Sequence, residues 1–176
     1  VFENVKRTIS VEGDRRTCAY ETPCGTVRAV TVFDAAMRAA GVSITHVENY
    51  VFRDAGDYPA LRYIFENARV EPNYSGFLEF DEYVGDRGIA VGFISLAATP
   101  MHLIQRELMP LDTFFYEMHD RPDEVAALAE SIGTYWQKVL DVAAAAPARV
   151  FLLGANYDSR VQNPPFFAQH ILPGLK

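Results

Sequence analysis

Four polar residues, Asn156, Tyr157, Asp158 and Arg160, follow directly after a short apolar run, Val150–Leu153. Such a run predicts a strand buried on both faces, as in a parallel sheet. Ligands of α/β barrels and open α/β sheets bind at the carboxyl ends of the strands. We therefore expect these side chains to bind a polar small-molecule substrate, with Arg160 pairing with its carboxylates. The alternative is that Asn156 and Asp158 are only turn and cap residues.

A second polar group, which contains His102, follows another apolar run, Ile89–Ile94. If the two strands are parallel, both polar groups lie at the same edge of the sheet. His102 would then face the substrate from the first turn of a helix that begins at Thr99, where the helix dipole favours the neutral imidazole. The alternative is a partly exposed histidine with Arg106 one turn further on, and the local pattern favours this alternative.

The remaining histidines and cysteines show no spacing typical of a catalytic or metal site. No zinc-ligand pattern, nucleotide-binding glycine loop or HExxH motif is present, so we predict no metal site in this chain. His119 and Asp120 are adjacent, but Asp120 is better explained as the cap of the next helix. Cys18 and Cys24 form no disulfide framework and indicate a reducing, cytoplasmic location.

Composition excludes several classes of protein. The chain of 176 residues carries a net charge of -7, which argues against a nucleic-acid or anionic-membrane surface. Hydrophobic residues make up 49%, an ordinary globular value, so one domain with one core is the default. No apolar run approaches the roughly 20 residues that a membrane-spanning helix needs. We expect neither nucleic acid nor membrane as a partner.

The elements that position these residues fall into two parts. Residues 1–52 are predicted to be rich in β-structure, with strands at Thr8–Val11, Thr17–Tyr20, Val27–Phe33 and Ser43–Phe52. Residues 53–176 alternate strands with helical patterns, which indicates βαβ units and a parallel sheet. The helices are expected over 57–69, capped by Asp57, and over 74–83, 99–108, 111–118 and 120–146.

Several segments resemble the uroporphyrinogen decarboxylase superfamily, which contains the haem-pathway decarboxylases and the corrinoid-dependent methyltransferases. The segments are TPCGTVR, DYPALRYIFENA, GDRGIAVGFISLAATPMHLI, FFYEMHDRPDEVAAL and FLLGANYDSRVQNPPFFAQHILPGLK. They occur in the same order from about residue 16 to the end, and they are most similar to the methyltransferase-type branch. In this resemblance Tyr157 corresponds to a substrate-contacting serine of the decarboxylases. Asn156 and Asp158 fall in the acidic-polar loop of the methyltransferases.

The resemblance implies an α/β fold, a partial TIM (β/α)8-type barrel with an N-terminal β-rich segment, in a single domain over 1–176. Complete barrels need about 250 residues, so this chain would be a fragment of a longer protein. The full-length parent would use zinc-activated thiolate attack on a methyl group, with a corrinoid protein as partner. Its zinc ligands would lie beyond Lys176, so no cofactor is expected in this chain and the isolated chain should be inactive.

Two other functions stay open. One is uroporphyrinogen decarboxylation in porphyrin biosynthesis, which needs no cofactor. The other is a non-catalytic α/β module that binds a small ligand or a partner. A partial barrel also has an open sheet edge, and such an edge pairs readily with another copy. We therefore predict a homo-oligomer.

Overall fold

The N-terminal part of the chain forms a four-stranded antiparallel sheet in the computed structural model, which describes residues 2–154 and 157–175. Neighbouring strands follow each other along the chain, and they are β1 (Lys6–Glu12), β2 (Arg15–Thr22), β3 (Gly25–Val32) and β4 (His46–Asn49). Gly13, at φ 60°, closes the first hairpin with a backbone angle that favours glycine. The predicted strands of this segment are confirmed, although β4 is shorter than the sequence pattern indicated.

The two faces of this sheet differ in polarity. Residues directly opposite each other on antiparallel strands face the same side of a sheet. Tyr20 lies opposite both Arg7 and Val27, and Val27 is fully buried, so this face lies against the core. On the other face Lys6 lies opposite Glu21, and its ammonium donates to the Glu21 carboxylate at 3.1 Å in solvent.

Helices make up most of the remaining structure. None of the helices described is long and apolar enough to cross a membrane. Short 3₁₀ turns occur at Ala55–Asp57, Gly85–Arg87 and Leu172–Leu175. Short π-helical turns occur at Ile104–Leu108 and Phe167–Ile171. The α-helices described are α1 (Ala35–Ala39), α2 (Tyr58–Glu66), α3 (Ser75–Val84), α4 (Pro100–Leu103), α5 (Leu111–Asp120), α6 (Pro122–Ala144) and α7 (Pro164–Phe166).

The long helix α6 contributes a central part of the core. Val125, Leu128 and Ile132 recur at helical spacing and are fully buried, as the sequence predicted. They belong to one apolar cluster with Phe114 of α5 and Leu61 of α2. Val27 of the antiparallel sheet belongs to the same cluster, so the sheet and the helices share one core.

Two predicted helix caps are wrong. Asp54, not Asp57, is the capping residue ahead of α2, and its carboxylate accepts the N–H of Gly56 at 2.8 Å. The 3₁₀ turn Ala55–Asp57 directly precedes α2, so the first N–H groups that need a cap are those after Asp54 and not those after Asp57. Asp120 is the last residue of α5, and α6 begins directly after Arg121 without a side-chain cap. Only Arg121 separates the two helices, so Asp120 belongs to the last turn of α5 and is not in the position of a cap for α6.

The second sheet consists of two parallel strands, β5 (Gly92–Ser95) and β6 (Phe151–Leu153). Helices α4, α5 and α6 form the connection between them, which confirms the predicted βαβ order. The prediction that both strands are buried on both faces is wrong, since Phe93 is 62% exposed and Leu152 is 50% exposed. A continuous apolar run does not show whether one or both faces of its strand are covered by other elements. The pattern therefore could not distinguish a half-buried strand from a fully buried one.

The chain is therefore a mixed α/β protein with one antiparallel and one parallel sheet. Residues 2–154 and 157–175 form no closed barrel, and the partial barrel stays a prediction. The exposed side chains of Phe93 and Leu152 form an apolar surface on the parallel sheet. The homo-oligomer also stays a prediction.

Replacement of Phe114 by alanine should strongly destabilise the protein. Phe114 is fully buried and makes an edge-to-face contact with Phe166 at a ring-centroid distance of 5.8 Å. Large-to-small changes at such a position lower the free energy of unfolding by about 3–5 kcal/mol. Urea unfolding followed by circular dichroism measures this change. In the control, Phe93→Ala should cost less than about 1 kcal/mol, because Phe93 is mostly exposed; equal losses would contradict the described core.

Candidate functional site at the carboxyl edge of the parallel sheet

The carboxyl ends of β5 and β6 lie side by side, as the sequence predicted. The N–H of Gly154 donates to the carbonyl of Ser95 at 2.9 Å, which joins the chain after β6 to the end of β5. The Ser95 hydroxyl accepts the N–H of Ala97 at 3.0 Å and directs the chain into α4. The polar residues that follow each strand are therefore brought to one edge of the sheet.

His102 holds the start of α4 through one hydrogen bond with Thr99 and another with Ala98. The Thr99 hydroxyl accepts the backbone N–H of His102 at 3.3 Å, and Nδ1 of His102 accepts the N–H of Ala98 at 3.1 Å. The arrangement resembles a capping box, with an imidazole in place of the usual carboxylate. Because Nδ1 is an acceptor, the proton of the neutral ring is on Nε2.

The favoured alternative for His102, a partly exposed side chain, is wrong. The residue is fully buried. Burial is the main cause that lowers the pKa of His102 to about 4, and the positive charge of Arg106 lowers it further. At neutral pH His102 is therefore an uncharged hydrogen-bond donor through Nε2. The positive charge of Arg106 disfavours the protonated form of this buried ring.

Tyr157 covers the imidazole of His102. The two rings lie 5.3 Å apart between centroids, and Phe167 makes an edge-to-face contact with Tyr157 at 5.5 Å. Burial raises the pKa of the Tyr157 hydroxyl, so this hydroxyl keeps its proton. The side chain nevertheless remains 43% exposed. Of the predicted site residues, the structure therefore brings His102 and Tyr157 together.

Gly154 makes this position of Tyr157 possible. Its φ of 75° lies in the region that favours glycine. A Cβ atom at Gly154 would overlap the Tyr157 hydroxyl and would lie 2.9 Å from the Cβ of Ala98. A larger residue would therefore displace Tyr157 or open the contact between the two strand ends.

Asp158 and Arg160 form a turn at the surface. The Asp158 carboxylate accepts the N–H of Arg160 at 2.7 Å, and the Asp158 carbonyl accepts the N–H of Gln162 at 2.8 Å. The following helix is capped by Asn163, whose side chain accepts the N–H of Phe166 at 3.0 Å. Asp158 thus has the predicted turn role but is not the helix cap. Substrate contact by Asp158 and Arg160 stays a prediction.

Asn156 lies outside the described residues. Its predicted contact with the substrate therefore stays a prediction from the sequence.

Two buried glutamines complete the cluster, and the sequence pattern predicted neither of them as a site residue. Gln105 is 3% exposed and Gln162 is 5% exposed. The Gln162 amide nitrogen donates to Oε1 of Gln105 at 2.9 Å, and the Gln105 amide nitrogen donates to the carbonyl of Val161 at 3.3 Å. The position of Gln105, three residues after His102 on the same side of the helix, was the available signal. Nothing in the local pattern indicated Gln162.

The hydrogen bonds within this cluster leave some buried donors and acceptors without a matching partner. The Gln162 amide nitrogen lies 3.4 Å from Nε2 of His102, where both groups are donors in the neutral state. Oε1 of Gln162 is buried and has no hydrogen-bond partner in the described part of the chain. A buried donor and acceptor without matching partners are rare in folded proteins.

Residues 2–154 and 157–175 contain no group of three or more His, Cys, Asp or Glu side chains placed to hold a metal ion. The donor set around His102 consists of amides and hydroxyls, which do not fit the nitrogen and sulfur ligands of zinc. His119 Nδ1 lies 2.7 Å from the Asp120 carboxylate, but both side chains are largely exposed. They form an ion pair at the surface.

Comparison of the chain with protein-family models, with curated proteins and with solved structures gives no match to any of them.

Titration of His102 should make the protein less stable in mild acid. The unfolded state takes up a proton near the ordinary pKa of 6.5, whereas the folded state does so only near 4. This contribution to stability is therefore fully present above pH 6.5 and falls as the pH is lowered, by about 3 kcal/mol at pH 4. Urea unfolding between pH 7.5 and 4 measures the fall.

The control separates His102 from the carboxylates that titrate in the same range. His102→Gln should flatten the pH dependence, whereas His46→Gln, at an exposed position on β4, should leave it unchanged. Identical pH profiles for the parent and the His102→Gln variant would contradict the buried neutral imidazole.

Replacement of Gly154 by alanine should destabilise the protein and move Tyr157. Strain at positive φ costs about 1–2 kcal/mol, and the overlap with Tyr157 adds to it. Gly13→Ala is the matched control, since Gly13 also has a positive φ of 60° but has no neighbouring atom within 4 Å. We expect Gly154→Ala to lower the free energy of unfolding more than Gly13→Ala does. An equal loss would show that Tyr157 does not contact Gly154.

Proposed function

We propose that this chain belongs to the uroporphyrinogen decarboxylase superfamily, on its methyltransferase-type branch, and forms part of a (β/α) barrel. In this proposal a small polar molecule binds at the carboxyl edge of β5 and β6. The single observation that carries the proposal is the contact between His102 and Tyr157, which joins the polar residues after both parallel strands. Ligands of parallel α/β sheets bind at this edge.

The exposed part of the site would make the first contact with the ligand. Tyr157 is 43% exposed, although its hydroxyl lies against Gly154, and Arg160 presents an exposed guanidinium suited to a carboxylate. His102 is fully covered, so it acts as a positioning residue that supports the Tyr157 ring from below. The unpartnered Oε1 of Gln162 would accept a hydrogen bond from a ligand or from a bridging water.

The resemblance implies zinc and a corrinoid in the parent protein. The described residues do not fit a zinc site, so this chain's part in the proposal is limited to binding and positioning. When bound elsewhere in the parent, zinc would supply an activated thiolate.

Binding of corrinoid and porphyrin probes tests the proposal. The chain would be labelled with ¹⁵N at histidine and titrated separately with methylcobalamin and with uroporphyrin, while the Nδ1 and Nε2 signals of His102 are followed by NMR. A methyltransferase-type site should respond to methylcobalamin, because the ligand would displace Tyr157 from the imidazole. Tyr157→Ala should weaken this response at least several-fold.

The control variant is Tyr116→Ala, since Tyr116 is exposed on α5 and takes no part in the cluster. This variant should bind as the parent chain does. A response to uroporphyrin alone would favour the decarboxylase alternative. If neither probe moves the His102 signals, the proposed site is wrong.

A further inference from the structure

A separate cavity lies between the antiparallel sheet and helix α2. Its volume is about 550 Å³, within the range of small-molecule sites. Leu61 and Ile64 of α2, together with Val51, form an apolar wall, and all three side chains are buried. Phe65 and Tyr135 extend the wall with two aromatic rings, 5.7 Å apart between centroids. Such a wall favours the apolar part of a ligand.

The opposite wall is polar and belongs to the sheet. Arg7 and Tyr20 lie directly opposite each other on β1 and β2, and both line the cavity beside Cys18. Burial is the main cause that raises the pKa of Tyr20 to about 12, with a further contribution from Cys18. The Tyr20 hydroxyl therefore stays protonated and can donate a hydrogen bond next to the Arg7 guanidinium.

The charges at the cavity favour an anion. Arg7 forms no salt bridge with any carboxylate in the described part of the chain, and its guanidinium is hydrogen-bonded to the Tyr20 hydroxyl. Arg69 also lines the cavity, but it pairs with Glu3. Glu71 is the opposing group, because its exposed carboxylate lies at the same cavity. A guanidinium that has no carboxylate partner and lies beside a tyrosine hydroxyl matches the two oxygens of a carboxylate.

We propose that this cavity binds a small monocarboxylate with an apolar body, such as a medium-chain fatty acid. The carboxylate would accept hydrogen bonds from Arg7 and Tyr20, and the hydrocarbon would lie against Leu61, Ile64 and Phe65. This site is separate from the carboxyl edge of the parallel sheet and does not depend on the proposed function.

The test measures octanoate binding to the chain by isothermal titration calorimetry. Octanoate should bind, and 1-octanol, which has the same hydrocarbon without the charge, should bind about tenfold more weakly or worse. Butyrate, which has the charge without the apolar body, should also bind more weakly. Equal affinity for octanoate and octanol would overturn the assignment of the carboxylate to Arg7.

Two arginine variants decide the role of charge. Arg7→Gln should weaken octanoate binding at least tenfold. Arg28→Gln is the matched control, since Arg28 is exposed on β3 and lies opposite Ala19 on the outer face of the sheet. It should bind octanoate as the parent chain does. Equal losses in both variants would show a non-specific charge effect and would overturn the proposal.

Two further variants test the shape and the opposing charge of the cavity. Ala29→Leu would place a larger side chain into the cavity and should abolish octanoate binding while Arg7 is retained. Glu71→Gln removes the opposing carboxylate and should tighten binding several-fold. If octanoate binding is undetectable in the folded parent chain at millimolar concentration, the proposal is wrong.

Discussion

The parallel pairing of β5 and β6 depends on the helices that connect the two strands. Each strand has only three or four residues, and a pair of this length is not stable alone in water. Helix α6 returns the chain to the start of β6, and its buried stripe of Val125, Leu128 and Ile132 joins the central core. The position of both strand ends is therefore set by helix packing, and the polar cluster at that edge depends on the same packing.

The cluster around His102 is tightly buried, but its hydrogen-bond network is incomplete. Burial keeps the imidazole neutral, and the Ala98 N–H, which donates to Nδ1, fixes the tautomer. Gln162 lies beside the ring and donates to Gln105, and these contacts do not match every buried donor to an acceptor. A fully apolar core would avoid that mismatch, so these polar side chains are not required for stability alone.

The two candidate sites differ in chemistry because they lie on different sheets. At the edge of the parallel sheet, amide, imidazole and hydroxyl groups are neutral and mostly covered. In the cavity against the antiparallel sheet, an apolar wall faces Arg7 and the Tyr20 hydroxyl. The alternation of residues along β1 and β2 brings these two polar side chains to the inner face, while Lys6 and Glu21 lie on the outer face.

The sequence by itself determined the local elements. Turn residues and alternating polarity predicted the antiparallel strands, and Thr99 with Pro100 predicted the start of α4, because such signals act within a few residues. It also predicted the parallel order of β5 and β6, from strands separated by helical patterns.

Only the tertiary structure decided the burial of His102, the meeting of Gln105 with Gln162 and the exposure of Phe93. These properties depend on which segments distant in the chain pack together, and a local pattern carries no information about that packing.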